Sequence, residues 1–245
     1  MVQSDVPGER YANASWIQGS QEMRALEFIT ESTVDEMALP AGWDAEALGH
    51  DKTFKSRLEY ALQRAPRLGG GSSRVAFTIE DNGRTTVLKV AKNKKGLAQN
   101  QAEADILDDG YIGELDIVIP LVDYDKTNRE PVWIQTELAQ KVREPALCKM
   151  LKCQSLTQLI GYTNYLIGGR NGQMWKNAPV VLANNGFSEQ DIGTFKEYAS
   201  ALGDLVSSSG VLIADFQHAS NWGIYAGRPV VIDVGFNENV ASMYR

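Results

Sequence analysis

The sequence predicts an α+β fold, with a small antiparallel sheet first and a mainly helical half after it. Val75–Ile79 and Thr85–Val90 are β-rich runs around Asp81-Asn82-Gly83, and Asn-Gly tolerates the positive φ angles of a tight hairpin turn. Further on, Pro145–Ile167 and the stretch after Ser188 carry apolar residues at helical spacing. A second hairpin closes the order. Its strands are Trp222–Tyr225 and Pro229–Ile232, and its turn is Ala226-Gly227-Arg228.

Composition narrows the class. The chain has 245 residues, 43% hydrophobic and 22% charged, long enough to bury a substantial core in one domain or two small lobes. A net charge of −7 argues against generic nucleic-acid or anionic-membrane binding. No apolar run approaches the ~20 residues of a membrane span. The opening MVQSDVPGER lacks a basic segment followed by an apolar run, so no secretory signal is expected and the expected compartment is the cytoplasm. Cys148 and Cys153 have no second ligand cluster near them and are expected as buried free thiols. With His50 and His218 as the two histidines, a histidine-rich metal site is excluded, and no G-x-S-x-G elbow points to a hydrolase.

Residues 1–65 predict helices at Gln21–Ile29 and Asp51–Leu62, separated by the breaker Leu39-Pro40-Ala41-Gly42. Phe54, Leu58, Ala61 and Leu62 form one apolar stripe, for packing on the same domain or for a partner. Strand character starts at Arg67. Before the first hairpin lies Gly69-Gly70-Gly71-Ser72, a flexible loop or a place where backbone N–H groups approach an anion. There is no G-x-x-x-x-G-K-S/T, so this is not a Walker-type loop. Lys89 interrupts an apolar strand, and a buried lysine needs a partner to keep its proton. Glu103, in the helical stretch Leu97–Leu107, is a candidate; otherwise both are surface charges. Lys92, Lys94 and Lys95 are expected in a solvated basic turn. Pro131–Ala139 is a strand with a bulky core face, and Gly168–Gly172 is a loop. Ser188 and Asp191 match a capping box that opens a helix through Phe195, Leu202 and Leu205, stopped by Ser207–Gly210.

The late hairpin carries polar residues at its open end. Asn221 enters its first strand and Asp233 leaves its second, which places them side by side. An amide oxygen beside a carboxylate is hard-oxygen ligation suited to Mg²⁺. Asp215 and His218 lie just upstream.

This stretch resembles the catalytic and metal-binding loops of protein-kinase-like phosphotransferases, including the aminoglycoside phosphotransferases. Asp233-Val234-Gly235 is similar to the Asp-Phe-Gly element with Val for Phe, and His218-Ala219-Ser220-Asn221 to a His-x-x-Asn element. One departure is that Asp215 stands six residues before Asn221, where the family usually has five. Val87-Leu88-Lys89 resembles the strand with the phosphate-binding lysine, and Glu103 its ion-pair glutamate.

The resemblance implies a two-lobed kinase-like fold. Residues 1–65 would be a helical extension, 66–139 an antiparallel-sheet lobe and 140–245 a minimal, mainly helical lobe, since ten residues follow Gly235. It implies an ATP- and Mg²⁺-dependent phosphotransferase acting on a hydroxyl of a protein or small molecule. Gly69–Ser72 would lie over the phosphates, Lys89 would hold them, and Asn221 and Asp233 would bind Mg²⁺. Thr136 would line the nucleotide pocket, with the backbone of Glu137 and Ala139 at the adenine. Asp215 would be the base, and His218 a brace for the loop or a proton carrier. The other expectation is a pseudokinase, a nucleotide-binding or structural interaction module similar to bacteriophage-type kinase-like chains.

Overall fold

The computed structural model describes residues 39–40, 42–81 and 83–244. The helix expected over residues 21–29 lies outside them. Helix α1 (Phe54–Arg64) opens on Thr53, whose side chain accepts from the Ser56 amide. Strands β1 (Arg67–Gly70), β2 (Arg74–Asp81) and β3 (Arg84–Ala91) follow, then α2 (Lys94–Leu107), capped by Asn93. Lys94 and Lys95 therefore belong to the first turn of α2 and not to a loop. A short α3 (Gly110–Glu114) leads to β4 (Leu121–Tyr124) and β5 (Trp133–Glu137).

These strands form one antiparallel sheet in the order β1-β2-β3-β5-β4. The first hairpin closes at Asp81↔Arg84, and Gly83 has φ 78°, which an L side chain rarely adopts. Side chains alternate across a strand, and the register turns this into two faces. Val75, Phe77, Leu88, Val90 and Trp133 pack with Ala61 of α1 in one core, with Leu58 and Phe54 against it. Arg74, Ala76, Val87, Lys89, Ile134 and Thr136 stand on the other face.

Beyond β5 come β6 (Gln140–Lys141), α4 (Glu144–Leu151), α5 (Leu156–Leu166), α6 (Ala178–Asn184) and α7 (Glu189–Ser209). Strands β7 (Trp222–Tyr225) and β8 (Arg228–Val231) complete a second sheet, β6-β7-β8, before α8 (Glu238–Ser242). The helix expected over residues 145–167 is broken in two. Lys152 takes φ 56° as a left-handed cap, and Ser155 starts α5 by accepting from the Gln158 amide. The capping box of Ser188 and Asp191 is present, and Gly210 ends α7 at φ 68°. The second hairpin turns on Ala226 and Gly227, at φ 49° and 81°, so Arg228 belongs to the strand.

Phe195, Leu202, Leu205, Phe216 and Trp222 centre the second core. β8 is stitched to the segment after α3, with Ile119 N donating to Val231 O at 2.9 Å and Val231 N to Ile117 O at 2.8 Å. The fold is thus α+β, with a five-stranded antiparallel sheet beside a mainly helical half. Among the described residues no helix is long and apolar enough to cross a membrane.

Candidate active site

Lys89 stands on the same face of the sheet as Arg74, and Glu103 lies on the inner side of α2, fully shielded from solvent. The two pair directly, and Lys89 Nζ also donates to Ile232 O at 2.7 Å. One lysine thereby joins the sheet, helix α2 and the strand exit that carries Asp233.

Arg74, the first residue of β2, joins the same cluster and was absent from the sequence expectations. Its guanidinium donates to Glu103, to Asn100 Oδ1 at 3.2 Å and to Asp233 Oδ1 at 2.7 Å. Asn100 stands one helical turn before Glu103 and is itself buried; its amide donates to Pro131 O at 3.0 Å and Val132 O at 2.9 Å. Burial works against the charge on Arg74, but Glu103 and Asp233 outweigh it and hold the guanidinium firmly protonated. Burial likewise works against the Asp233 carboxylate, yet Arg74 and then Lys89 hold its pKa below the usual value. Strand parity was the available signal for Arg74: it shares the phase of Ala76, directly opposite Lys89. Beginning the strand at Val75 hid it.

The loop before β7 supplies the remaining groups. Asp215 sits in a short 3₁₀ turn (Ile213–Gln217), half-buried, with His218 exposed beside it. Asn221 donates from its amide to Asp215 O at 2.9 Å, and its own carbonyl accepts from Ile232 N at 2.9 Å. That second bond sets Asn221 and Asp233 on neighbouring chain positions, as expected of the hairpin's open end. The loop is anchored by Trp222, whose indole N–H donates to Phe216 O at 2.9 Å. Burial pushes the Asp215 carboxyl above the ordinary aspartate value, the Asp233 charge adds to this, and His218 and Asn221 pull the other way. A raised pKa makes Asp215 a better proton acceptor than an exposed aspartate.

Gly69 and Gly70 are not an open loop. They belong to β1, opposite Ala76 and Val75, and only Gly71-Ser72-Ser73 turns. Within that turn the Gly71 amide donates to Arg74 O at 3.0 Å, so it is engaged inside the hairpin. Ser72 is tied down as well: Asn93 donates to its carbonyl at 3.0 Å and its hydroxyl meets Tyr244 Oη at 3.3 Å. Thr136 is buried on the Lys89 face of β5. The Glu137 amide donates to Pro120 O at 3.0 Å and its carboxylate pairs with Arg84. Ala139 lies where the chain passes between the two sheets, against Gly223; a Cβ at 223 would come 2.5 Å from the Ala139 Cβ.

Asp233 Oδ1 accepts from the Arg74 guanidinium, so a divalent cation at this oxygen would have to share or displace that bond.

No family model matches the chain, and no curated protein matches it. Solved structures do. The crystal structure of the aminoglycoside phosphotransferase APH(4)-Ia is similar at 16% identity over 70% of this chain and 66% of that one, with a TM-score of 0.30. A thermostable mutant of that enzyme, in ternary complex with AMP-PNP and hygromycin B, gives 15% identity over 72% and 70% of the chains, with a TM-score of 0.31. The apo form of a thermostable mutant gives 13% over 70% and 66%, with a TM-score of 0.29. The chain thus spans just under two thirds of the length of the first of these.

Proposed function

We propose that this chain is an ATP-dependent phosphotransferase of kinase-like layout that transfers a phosphoryl group to a hydroxyl acceptor. The observation that carries this reading is the bond from Lys89 Nζ to Ile232 O at 2.7 Å, made while Lys89 pairs with Glu103. It brings a cation from the sheet to the polar end of the late hairpin, where Asp215, Asn221 and Asp233 gather. Phosphoryl transfer depends mainly on positioning and on charge stabilisation of the transferring group.

In this reading Lys89 holds donor phosphates and Glu103 fixes its position. Thr136 and the backbone around Glu137 and Ala139 receive the adenine. Asp215 takes the acceptor proton, helped by burial that raises its proton affinity. His218 braces the turn through its backbone, which accepts from Asn221 N at 2.9 Å. The resemblance gives Asn221 and Asp233 to Mg²⁺, but Asp233 is already engaged by Arg74, so no step runs through a metal there.

The test is a calorimetric ATP titration of the full chain and of Lys89→Ala, with γ-phosphoryl turnover compared between wild type and Asp215→Asn. Wild type binds ATP, and Lys89→Ala weakens binding by about tenfold or more, equivalent to ~1.4 kcal/mol. Asp215→Asn keeps binding and loses turnover by roughly 10²–10⁴-fold. No binding heat for wild type at millimolar ATP overturns the proposal.

A further inference from the structure

Four charged groups form one unbroken chain of hydrogen bonds: Lys89, Glu103, Arg74 and Asp233. Two are cations and two are carboxylates, so the cluster carries its own counter-charge. Asp233, which the resemblance leaves for a metal, has the Arg74 guanidinium at its Oδ1, 2.7 Å away. The guanidinium is held in place from several directions. Its two terminal nitrogens divide between carboxylates on different elements, and Asn100 accepts a third bond. Its backbone is fixed too, with Arg74 paired to Ala91 across the sheet and its carbonyl accepting from Gly71 N at 3.0 Å. A planar fork that spans two carboxylates is a task for arginine and not for lysine. With 6% of its surface exposed, Arg74 is a built component of the site and not a side chain that strayed into it.

We propose that Arg74 replaces a divalent cation at Asp233. A metal ion arriving at this carboxylate meets a positive charge already bonded to it, and it would have to break the Arg74–Asp233 pair, leaving a shielded guanidinium with Glu103 as its one carboxylate. Arg74 is therefore a specificity-determining residue. It closes Asp233 to divalent cations, and nucleotide enters a site whose cations are supplied by Lys89 and Arg74. The nucleotide part of this inference rests on the phosphotransferase reading; the metal part does not.

The test therefore begins with metal alone. The full chain is titrated with Mn²⁺, with the free ion followed by paramagnetic resonance, for wild type, Asp233→Asn, Arg74→Gln and the double variant. Wild type and Asp233→Asn show the same weak uptake. Arg74→Gln gains one site tighter by about tenfold or more, and adding Asp233→Asn removes it. A single Mn²⁺ bound by wild type and lost in Asp233→Asn overturns the proposal, and so does a folded Arg74→Gln that gains no site. If Arg74→Gln does not fold, the comparison of wild type with Asp233→Asn decides alone. A second arm compares ATP binding in EDTA and in Mg²⁺. Affinities within about threefold support the proposal, and a dependence of about tenfold or more overturns it. Absence of ATP binding in both conditions sinks the phosphotransferase reading and leaves the Mn²⁺ titrations to judge this one.

Discussion

On the sheet side of the site, Lys89, Arg74 and Glu103 are fixed by strands and a helix, and each charge has a charged partner within the protein. On the helical side, Asp215 and His218 stand on a short 3₁₀ turn, half-buried and exposed respectively, with no ion pair to either among the described residues. The first region spends its charge on holding itself together. The second keeps its charge available. A group meant to exchange a proton with a substrate must remain unsatisfied enough to do so, whereas a group meant to hold position must be over-determined. On the proposed reading, the contrast separates the framework of this site from its reactive end.

The largest break in that contrast comes from Glu103→Ala, which leaves Lys89 and Arg74 without their shared carboxylate in a fully shielded position. Loss of one partner from a buried ionic network costs roughly 3–5 kcal/mol, read as a fall in the urea midpoint.

A smaller effect is expected where the reactive loop is anchored. Trp222→Phe keeps most of the ring packing but removes the indole donor to Phe216 O, leaving a buried carbonyl without its partner. The cost is about 1–3 kcal/mol, read as a lower urea midpoint, and on the phosphotransferase reading turnover falls with stability.

The reactive side also predicts a change of sign. The folded-state pKa of Asp215 is raised above its model-compound value of 3.8. Its ionisation therefore opposes folding, and stability declines as pH rises from the ordinary aspartate value through the folded one. Asp215→Asn is accordingly more stable than wild type at neutral pH, and the difference vanishes at about pH 3 and below. Denaturant curves at both pH values check this. A wild type more stable than the variant at pH 7 would erase the distinction between the two regions.

The smallest effect lies outside both. Asp191 bonds Lys152 and Ser188, which hold its carboxyl down to about 2. Its contribution to the start of α7 is fully present above the ordinary value of 3.8 and is lost as pH falls through the folded one. A carboxyl carbon resonance titrating near 2 is the check; a midpoint near 4 would show that the pair does not form in solution.

Much of this plan was legible in the chain. The first hairpin and the Ser188–Asp191 box are local or periodic signals, and the structure contains both; the Lys89–Glu103 pair, also present, followed from a lysine's need for a partner in an apolar strand and from the family resemblance. The break at Lys152 was not legible, because a left-handed lysine leaves no mark in an apolar pattern that continues across it. α6 and the short elements α3 and β4 were missed because each is too brief to establish a period. Arg74 was hidden for another reason. Its partners lie 26, 29 and 159 residues away, and only the assembled sheet shows that they converge on it.

Helix α2 is closely approached by backbone at two glycines, Gly96 within it and Gly235 beside it. A Cβ on Gly96 would come 2.2 Å from Ser73 O, and one on Gly235 would come 2.5 Å from Gln99 O. Helix α2 is therefore pressed by backbone at its start and along its flank, and an inward displacement has nowhere to go. An outward one would pull Glu103 from both of its cations at once. Many two-state proteins are switched by rocking a helix of this kind. Here such a motion would first have to break the ion pairs of Glu103 with Arg74 and Lys89.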